Sequence, residues 1–267
     1  MTLNGSGIIR MMITFSGKLS VDWGDGCIIE TNQISGKYYT YEHYYPENES
    51  YNVKIDGDIA ELCCNGRHNN YQNLITTIDV GRLEKLNELI FGDNLLSVFD
   101  ISKNKALTKF DCGKNQFKHL DVSKNIDLTT LYCSENQLPG LDVSRNTKLI
   151  KLCCYRNQLT KLDLSKNIAL EDLRCMENQL THLNVSESTE LKSIFCYCNQ
   201  LTHLDLSNNT VLETLNCQDN QLSADALNAL FRTLHKNEGK KAIRIINNPG
   251  SDSCDPTIAT DKGWKFW

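Results

Sequence analysis

A chain of 267 residues that is 40% hydrophobic can bury a sizeable core, and its charged residues are interspersed to a formal net charge of −5. That balance excludes nucleic acid and an anionic membrane surface as main partners, because both select clustered Lys and Arg. No apolar run approaches the roughly 18 residues that suggest a bilayer span, so membrane insertion is not expected.

The first 20 residues lack a basic segment followed by an unbroken apolar stretch, so no secretory leader is visible. Two localisations stay open. The protein is cell-surface or secreted with a leader outside this sequence, or it is cytoplasmic.

Residues 1–58 are expected to form a small β-rich N-terminal cap. Ile8–Phe15 is a strand candidate, and Leu19–Trp23 alternates into the tight-turn signal Gly24-Asp25-Gly26. Cys27–Glu30 would return as its hairpin partner. Tyr38–Tyr45 is aromatic and closed by Pro46, and Tyr51, Val53 and Ile55 alternate in a last strand. Asp22 and Asp25 suit the turn better than a calcium site, which needs a longer run of oxygens.

Residues 59–222 are expected to form a repeat solenoid of about eight coils. Ile59–Cys64 begins an irregular first coil, and a longer loop over Asn65–Asn73 leads to Leu74–Val80. From Leu86 a leucine recurs every 21 residues at Leu107, Leu128, Leu149, Leu170, Leu191 and Leu212. Cysteine follows five residues later at Cys112, Cys133, Cys154, Cys175, Cys196 and Cys217. Asparagine recurs from Asn94 and Asn115 to Asn220. A fixed period of this length means stacked coils, each burying its apolar side against its neighbours. In the coil beginning at Leu149, a period of two points Leu152 and Cys154 inward and Cys153 outward. One strand per coil would then build a parallel sheet with about 4.8 Å between strands. Asn157 would turn the chain out of the strand and satisfy backbone groups, and Asp163, Ser165 and Asn167 suit bends on the far side.

Residues 223–267 are expected to form an α/β C-terminal cap. Ser223 is an N-cap candidate for a helix carrying Leu227, Leu230, Phe231 and Leu234 on one face. Ala242–Ile246 reads as a strand. Asp255-Pro256 opens a second helix that Gly263 ends, and Trp264–Trp267 is a short strand.

The motif Leu-x-x-Leu-x-Cys-x-x-Asn-Gln-Leu-x-x-Leu-Asp-Val/Leu-Ser-x-Asn, which covers Leu107–Leu222, resembles the leucine-rich repeat family. It is most similar to the internalin J-like repeats with a cysteine ladder. It departs from that pattern at Phe91, which takes the ladder position, and at Asn184 and Ser188, which replace an aspartate and an asparagine. Val21–Gly26, Tyr41–Tyr44 and Tyr51–Ile55 resemble part of a PKD-like β-sandwich module. The resemblance implies an α/β repeat solenoid with its parallel sheet on a concave face, belonging to an exported protein that binds a host or glycan partner.

The columns flanking the ladder vary within the chain and carry large side chains, unlike the constant scaffold columns. Tyr132, Tyr155, Arg156, Arg174, Met176, Phe195 and Tyr197 are the candidate ligand-binding residues of the concave face, because aromatic and arginine side chains anchor interfaces. The competing reading is ordinary sheet residues chosen for β-propensity. The expected partner is a protein or glycan bound by a monomer. Cys153 and Cys198, facing outward, are expected to be exposed, reactive thiols. The ladder itself reads as inert buried thiols, with a redox or metal role as the alternative. His119, His182 and His203 share a column, yet a zinc site wants at least three protein ligands, so no metal or cofactor is expected. No nucleophile, base and orienting group can be named together, which leaves no catalytic residue and no enzyme reading. Lys103, Lys124, Arg145 and Lys166 read as a solvated basic column on the convex side.

Overall fold

The computed structural model describes residues 2–4, 7–33, 37–45, 50–65, 75–236 and 238–267. It divides into two compact units, Met1–Asn136 and Gln137–Trp267. The loop expected over Asn65–Asn73 and the approach through Leu74 lie largely outside the described residues, as does Pro46.

In the first unit the strands are β1 (Thr2–Asn4), β2 (Gly7–Asp22), β3 (Ile28–Gln33), β4 (Tyr39–Tyr45), β5 (Ser50–Asn52) and β6 (Lys54–Cys63). They are followed by β7 (Ile75–Thr77), β8 (Glu88–Ile90), β9 (Lys109–Asp111) and β10 (Thr130–Tyr132). The two strands expected over Ile8–Phe15 and Leu19–Trp23 are one, β2. Its pairing with β6 slips between Ser16 and Leu19, and Gly17 there takes a φ of 78°. A bulge of this kind bends a strand without ending it. The first half of β2 pairs with β4 and the second with β3, both antiparallel.

The β2–β3 hairpin turns as its glycines predict. Trp23 N donates to Cys27 O at 2.9 Å, and Gly24 has a φ of 81° with its Cα against the Asn52 backbone. Asp22 Oδ1 accepts from Gly24 N at 2.9 Å and Asp25 Oδ1 from Cys27 N at 3.0 Å. Asp25 Oδ2 also lies 2.6 Å from His43 Nε2, so both carboxylates serve the turn. Met11, Ile13, Phe15, Leu19, Val21, Trp23 and Tyr45 are buried beneath it.

Strand β6 changes the sheet's character. It runs antiparallel to β2 along one side and parallel to β8 along the other, with Leu62 beside Leu89. One continuous strand thus carries the chain from the hairpin region across residue 58 into the coils.

In the second unit each coil supplies a three-residue strand: β11 (Lys151–Cys153), β12 (Asp172–Arg174), β13 (Ser193–Phe195) and β14 (Thr214–Asn216). Then come α1 (Ala224–Thr233), β15 (Lys241–Arg244), α2 (Thr257–Thr260) and β16 (Trp264–Phe266). Consecutive strands from β11 to β16 pair in parallel. Ser223 caps α1, its Oγ accepting from Ala226 N at 3.2 Å, and Leu227, Leu230 and Phe231 are buried. Asp255 Oδ1 receives Thr257 N at 3.0 Å; α2 ends at Thr260 with Asp261 as its C-cap, and Gly263, at a φ of 83°, closes the turn that follows.

Small, apolar and asparagine columns hold the coils together. Cys154, Cys175, Cys196 and Cys217 have no solvent exposure, like Leu152, Leu173, Ile194 and Leu215. All the cysteines are free thiols. Burial pushes the Cys175 and Cys196 thiols well above their usual pKa and Cys217 up to about 12. Such groups are inert packing at neutral pH.

Each strand-side asparagine reaches back one coil. Asn178 Nδ2 donates to Cys154 O and to its own coil's Cys175 O, both at 3.1 Å, while its Oδ1 accepts from Leu159 N at 3.0 Å. A turn buried between coils would otherwise strand those backbone groups. The far-side asparagines do the same: Asn209 Nδ2 donates to Val185 O at 3.0 Å and Ser188 O at 2.8 Å. Ser188, the substituted rung, makes one such bond, to Asn167 O at 3.1 Å.

Candidate functional site

Outward residues at the strand ends and in the turn just beyond form the candidate face. In the first unit Tyr132 ends β10 beside Asp111 and is half-buried. Its neighbouring column is small, since Asp111 Oδ1 folds over to accept Gly113 N at 3.0 Å. A Cβ on Gly113 would lie 3.3 Å from that oxygen, so a side chain there would have to push the Asp111 carboxylate aside by a few tenths of an ångström. Ion pairs cross neighbouring coils here, Lys109 to Glu88 at 3.0 Å and Lys114 to Glu135 at 3.6 Å.

The second unit carries the larger group. Cys153, Arg174, Phe195 and Asn216 follow one another in register at the strand ends. Tyr155, Met176, Tyr197 and Gln218 form the next column, and Arg156, Glu177, Cys198 and Asp219 the one after. Backbone bonds keep this register past the strands: Arg156 N reaches Met176 O at 3.1 Å and Glu177 N reaches Tyr197 O at 2.9 Å. The Arg174 guanidinium lies over the Phe195 ring at 5.4 Å, and Arg174 Nε is 3.3 Å from Asp172 Oδ1. Arg156 Nε pairs with Glu177 Oε2 at 2.8 Å.

The last of these columns has a backbone feature that side-chain chemistry hides. Asp93, Lys114 and Glu135 in the first unit, and Arg156, Glu177, Cys198 and Asp219 in the second, all have positive φ, between 51° and 66°. These are left-handed turn residues rather than strand residues. That conformation swings the chain away from the sheet after the Tyr155 column, which becomes the rim of the face.

Exposure also differs from the sequence expectation. Tyr132, Tyr155, Arg174, Met176, Phe195 and Tyr197 are half-buried, and Arg156 alone of the candidate residues is exposed. Large side chains one coil apart lean on each other, and burial with the nearby Glu177 raises the Tyr197 hydroxyl pKa. Cys153 does not present the exposed thiol expected of it. It is 4% exposed, with Arg174 beside it in register. Cys198 is half-buried, and burial followed by the charge of Asp219 raises its pKa, which lowers its thiolate fraction.

His182 and His203 are exposed as expected and line a cavity of about 240 Å³ with Asn184 and Asp205. Among the described residues no group of three or more His, Cys, Asp and Glu is placed to hold a metal ion. No helix among them is long and apolar enough to cross a membrane.

The 21-residue period ends at Leu222, but the face continues. Arg244 pairs in register with Asn216, so it extends the column of Arg174 and Phe195. Cys217 N donates to Arg244 O at 2.9 Å and Asp219 N to Ile246 O at 2.9 Å, as between true coils. Asn248 takes the ladder role, donating to Cys217 O at 3.0 Å and accepting from Leu222 N at 3.1 Å. Trp267 stacks against Arg244 at 4.9 Å. The available signal was Ile243-Arg-Ile-Ile-Asn-Asn248, a leucine–ladder–asparagine spacing displaced by the inserted helix α1.

No family model matches the sequence, and no curated protein matches it significantly. Solved structures do. The functional domain of internalin J from Listeria monocytogenes, which includes a cysteine ladder, is 30% identical with a TM-score of 0.64, covering 76% of this chain and 47% of that one. A leucine-rich repeat protein of Leptospira interrogans is 23% identical with a TM-score of 0.61, covering 72% of this chain and 58% of that one. Internalin C2 from Listeria monocytogenes is 23% identical with a TM-score of 0.55, covering 62% and 74%. The chain thus spans about half of the internalin J domain and under two thirds of the Leptospira protein. With 21-residue coils, parallel strands, an asparagine ladder and buried cysteines in register, this chain is a leucine-rich repeat solenoid of internalin-like build.

Proposed function

We propose that this chain is a noncatalytic binding module of a bacterial surface or secreted protein, and that it holds a protein or glycan ligand on the sheet face. The supporting observation is the second unit's face. There Tyr155, Arg174, Met176, Phe195 and Tyr197 vary while the scaffold columns around them stay nearly constant. They stand on coils locked by backbone and asparagine bonds, so little side-chain freedom is left to lose on binding. Likeness to internalins supports the same reading. In this scheme residues 1–58, with their partial PKD-like pattern, and residues 223–267 cap a solenoid over 59–222, and Tyr132 stands at the corresponding strand end in the first unit.

The test is a screen of host extracellular proteins and glycans against the wild type and the Tyr155→Ala/Tyr197→Ala double variant. A saturable ligand lost at least tenfold in the variant, with unchanged thermal unfolding, is the expected result. Equal affinity in the two proteins would remove the Tyr155–Tyr197 patch from the function.

A second reading rests on the free thiols. Twelve cysteines, none of them in a disulfide, suit a reducing compartment, where the same face would serve a cytoplasmic scaffold or effector. Localisation of the native protein by cell fractionation separates the two.

A further inference from the structure

Three cations of the second unit's sheet face are matched to carboxylates. Lys151 reaches Asp172 at 3.2 Å, Arg174 reaches the same carboxylate, and Arg156 reaches Glu177. Arg244 forms no ion pair. Its Nε is buried and has no hydrogen-bond acceptor. Its guanidinium is held in place by the Trp267 ring at 4.9 Å.

A second unsatisfied group belongs to the adjoining coil. Gln218 Oε1 is buried and receives no hydrogen bond. The carboxylate of that coil is engaged elsewhere, Asp219 Oδ1 accepting from Asn247 Nδ2 at 2.7 Å. The last two coils therefore present a preset cation lacking an anion and an amide oxygen lacking a donor. Isolated buried donors and acceptors are costly, and a guanidinium fork suits a carboxylate in particular.

We infer that Arg244 and Gln218 form an anchoring subsite for a peptide segment bearing a carboxylate, Arg244 donating to the carboxylate and Gln218 accepting a peptide N–H. The inference rests on the sheet face being the binding surface. A peptide is favoured because it supplies a carboxylate and an N–H donor a residue apart. Trp267, about half exposed, offers a flat apolar flank beside the guanidinium. Beyond Ile246 a cleft of about 910 Å³, lined by Asn220, Asn247, Pro249, Cys254 and Phe266, has room for the segment's next side chains.

Phage-displayed random peptides selected on the full 267-residue chain, then resynthesised with each Asp or Glu in acid and amide form, test this. The expected result is enrichment of Asp or Glu at one position. Affinity should fall at least tenfold on amidation of that residue or in Arg244→Gln, and less in Arg244→Lys, which keeps the charge without the fork. Asn216→Asp, which places a carboxylate beside Arg244 in register, should abolish binding while preserving the fold by circular dichroism. Selected peptides with no acidic position, or affinity unchanged in both Arg244→Gln and Asn216→Asp, would overturn the subsite and leave the wider face intact as a binder. Binding of acidic glycans on an array through Arg244, with no peptide retained, would overturn the peptide class. Retention of any such ligand after Tyr155→Ala/Tyr197→Ala but not after Arg244→Gln would support the subsite against the wider face.

Discussion

Replacing Asn178 by alanine removes one rung of the asparagine ladder without touching the apolar interior. Leu159 N loses its acceptor at 3.0 Å, and the carbonyls of Cys154 and Cys175 each lose a donor at 3.1 Å. An unmatched buried polar group costs about 1–3 kcal/mol. Because Asn178 is half-buried and water can partly replace its bonds, each group falls toward the lower end and the loss is about 2–3 kcal/mol. Because each coil touches only its neighbours, the damage should be local. Two measurements check this. Urea unfolding followed by far-ultraviolet circular dichroism gives the stability change, and native-state alkylation of Cys154 and Cys175, mapped by mass spectrometry, reports whether those coils open. Gln179→Ala, at the exposed position next door, is the control and should stay within about 0.5 kcal/mol. A loss under about 1 kcal/mol together with unchanged alkylation would refute the view that the ladder holds the coils together.

The converse substitution, Ser188→Asn, should restore the second carbonyl contact that the serine does not make and stabilise the array by about 1 kcal/mol, read as a higher urea midpoint. Far-side aspartates give the pH dependence. Backbone and side-chain bonds from Ser123 and Ser165 hold the Asp121 and Asp163 carboxyls below their usual pKa. A depressed folded-state value stabilises above the unfolded pKa of about 3.9 and loses that effect as pH falls through the folded value. Asp121→Asn/Asp163→Asn should therefore have a lower urea midpoint at pH 7 and show a smaller drop between pH 5 and pH 2. Asn184 makes the same turn uncharged, accepting Ser186 N at 3.0 Å. An equal drop in the two proteins would count against the carboxylates.

The coils were legible because their period repeats one structural need many times. Leu152, Cys154 and Asn157 lie where the spacing put them, two buried in the stack and one bonding across it. The left-handed column was not legible, because Asp93, Lys114, Arg156 and Cys198 share a backbone angle and no chemistry. Neither was the last coil. Asn248 follows Asn220 by 28 residues instead of 21, since α1 is inserted between them, and a search by fixed period passes over Arg244. The burial of Cys153 is a third case. Alternation gave its direction correctly, but whether an outward residue sees solvent depends on what its neighbouring coils place beside it. Strand β2 shows the same limit at the other end, where two expected strands are one, bent at Gly17.

The asparagine bonds have a direction. Asn178 gives to and takes from the coil made before it, and Asn199, with Cys175 O and Leu180 N, repeats this. Among the described residues no asparagine of this kind waits on a coil still to come. During synthesis, then, each newly emerged coil meets open groups on its upstream side, such as Cys154 N and Leu159 N, and completes them, so that coils can add in order as the chain leaves the ribosome.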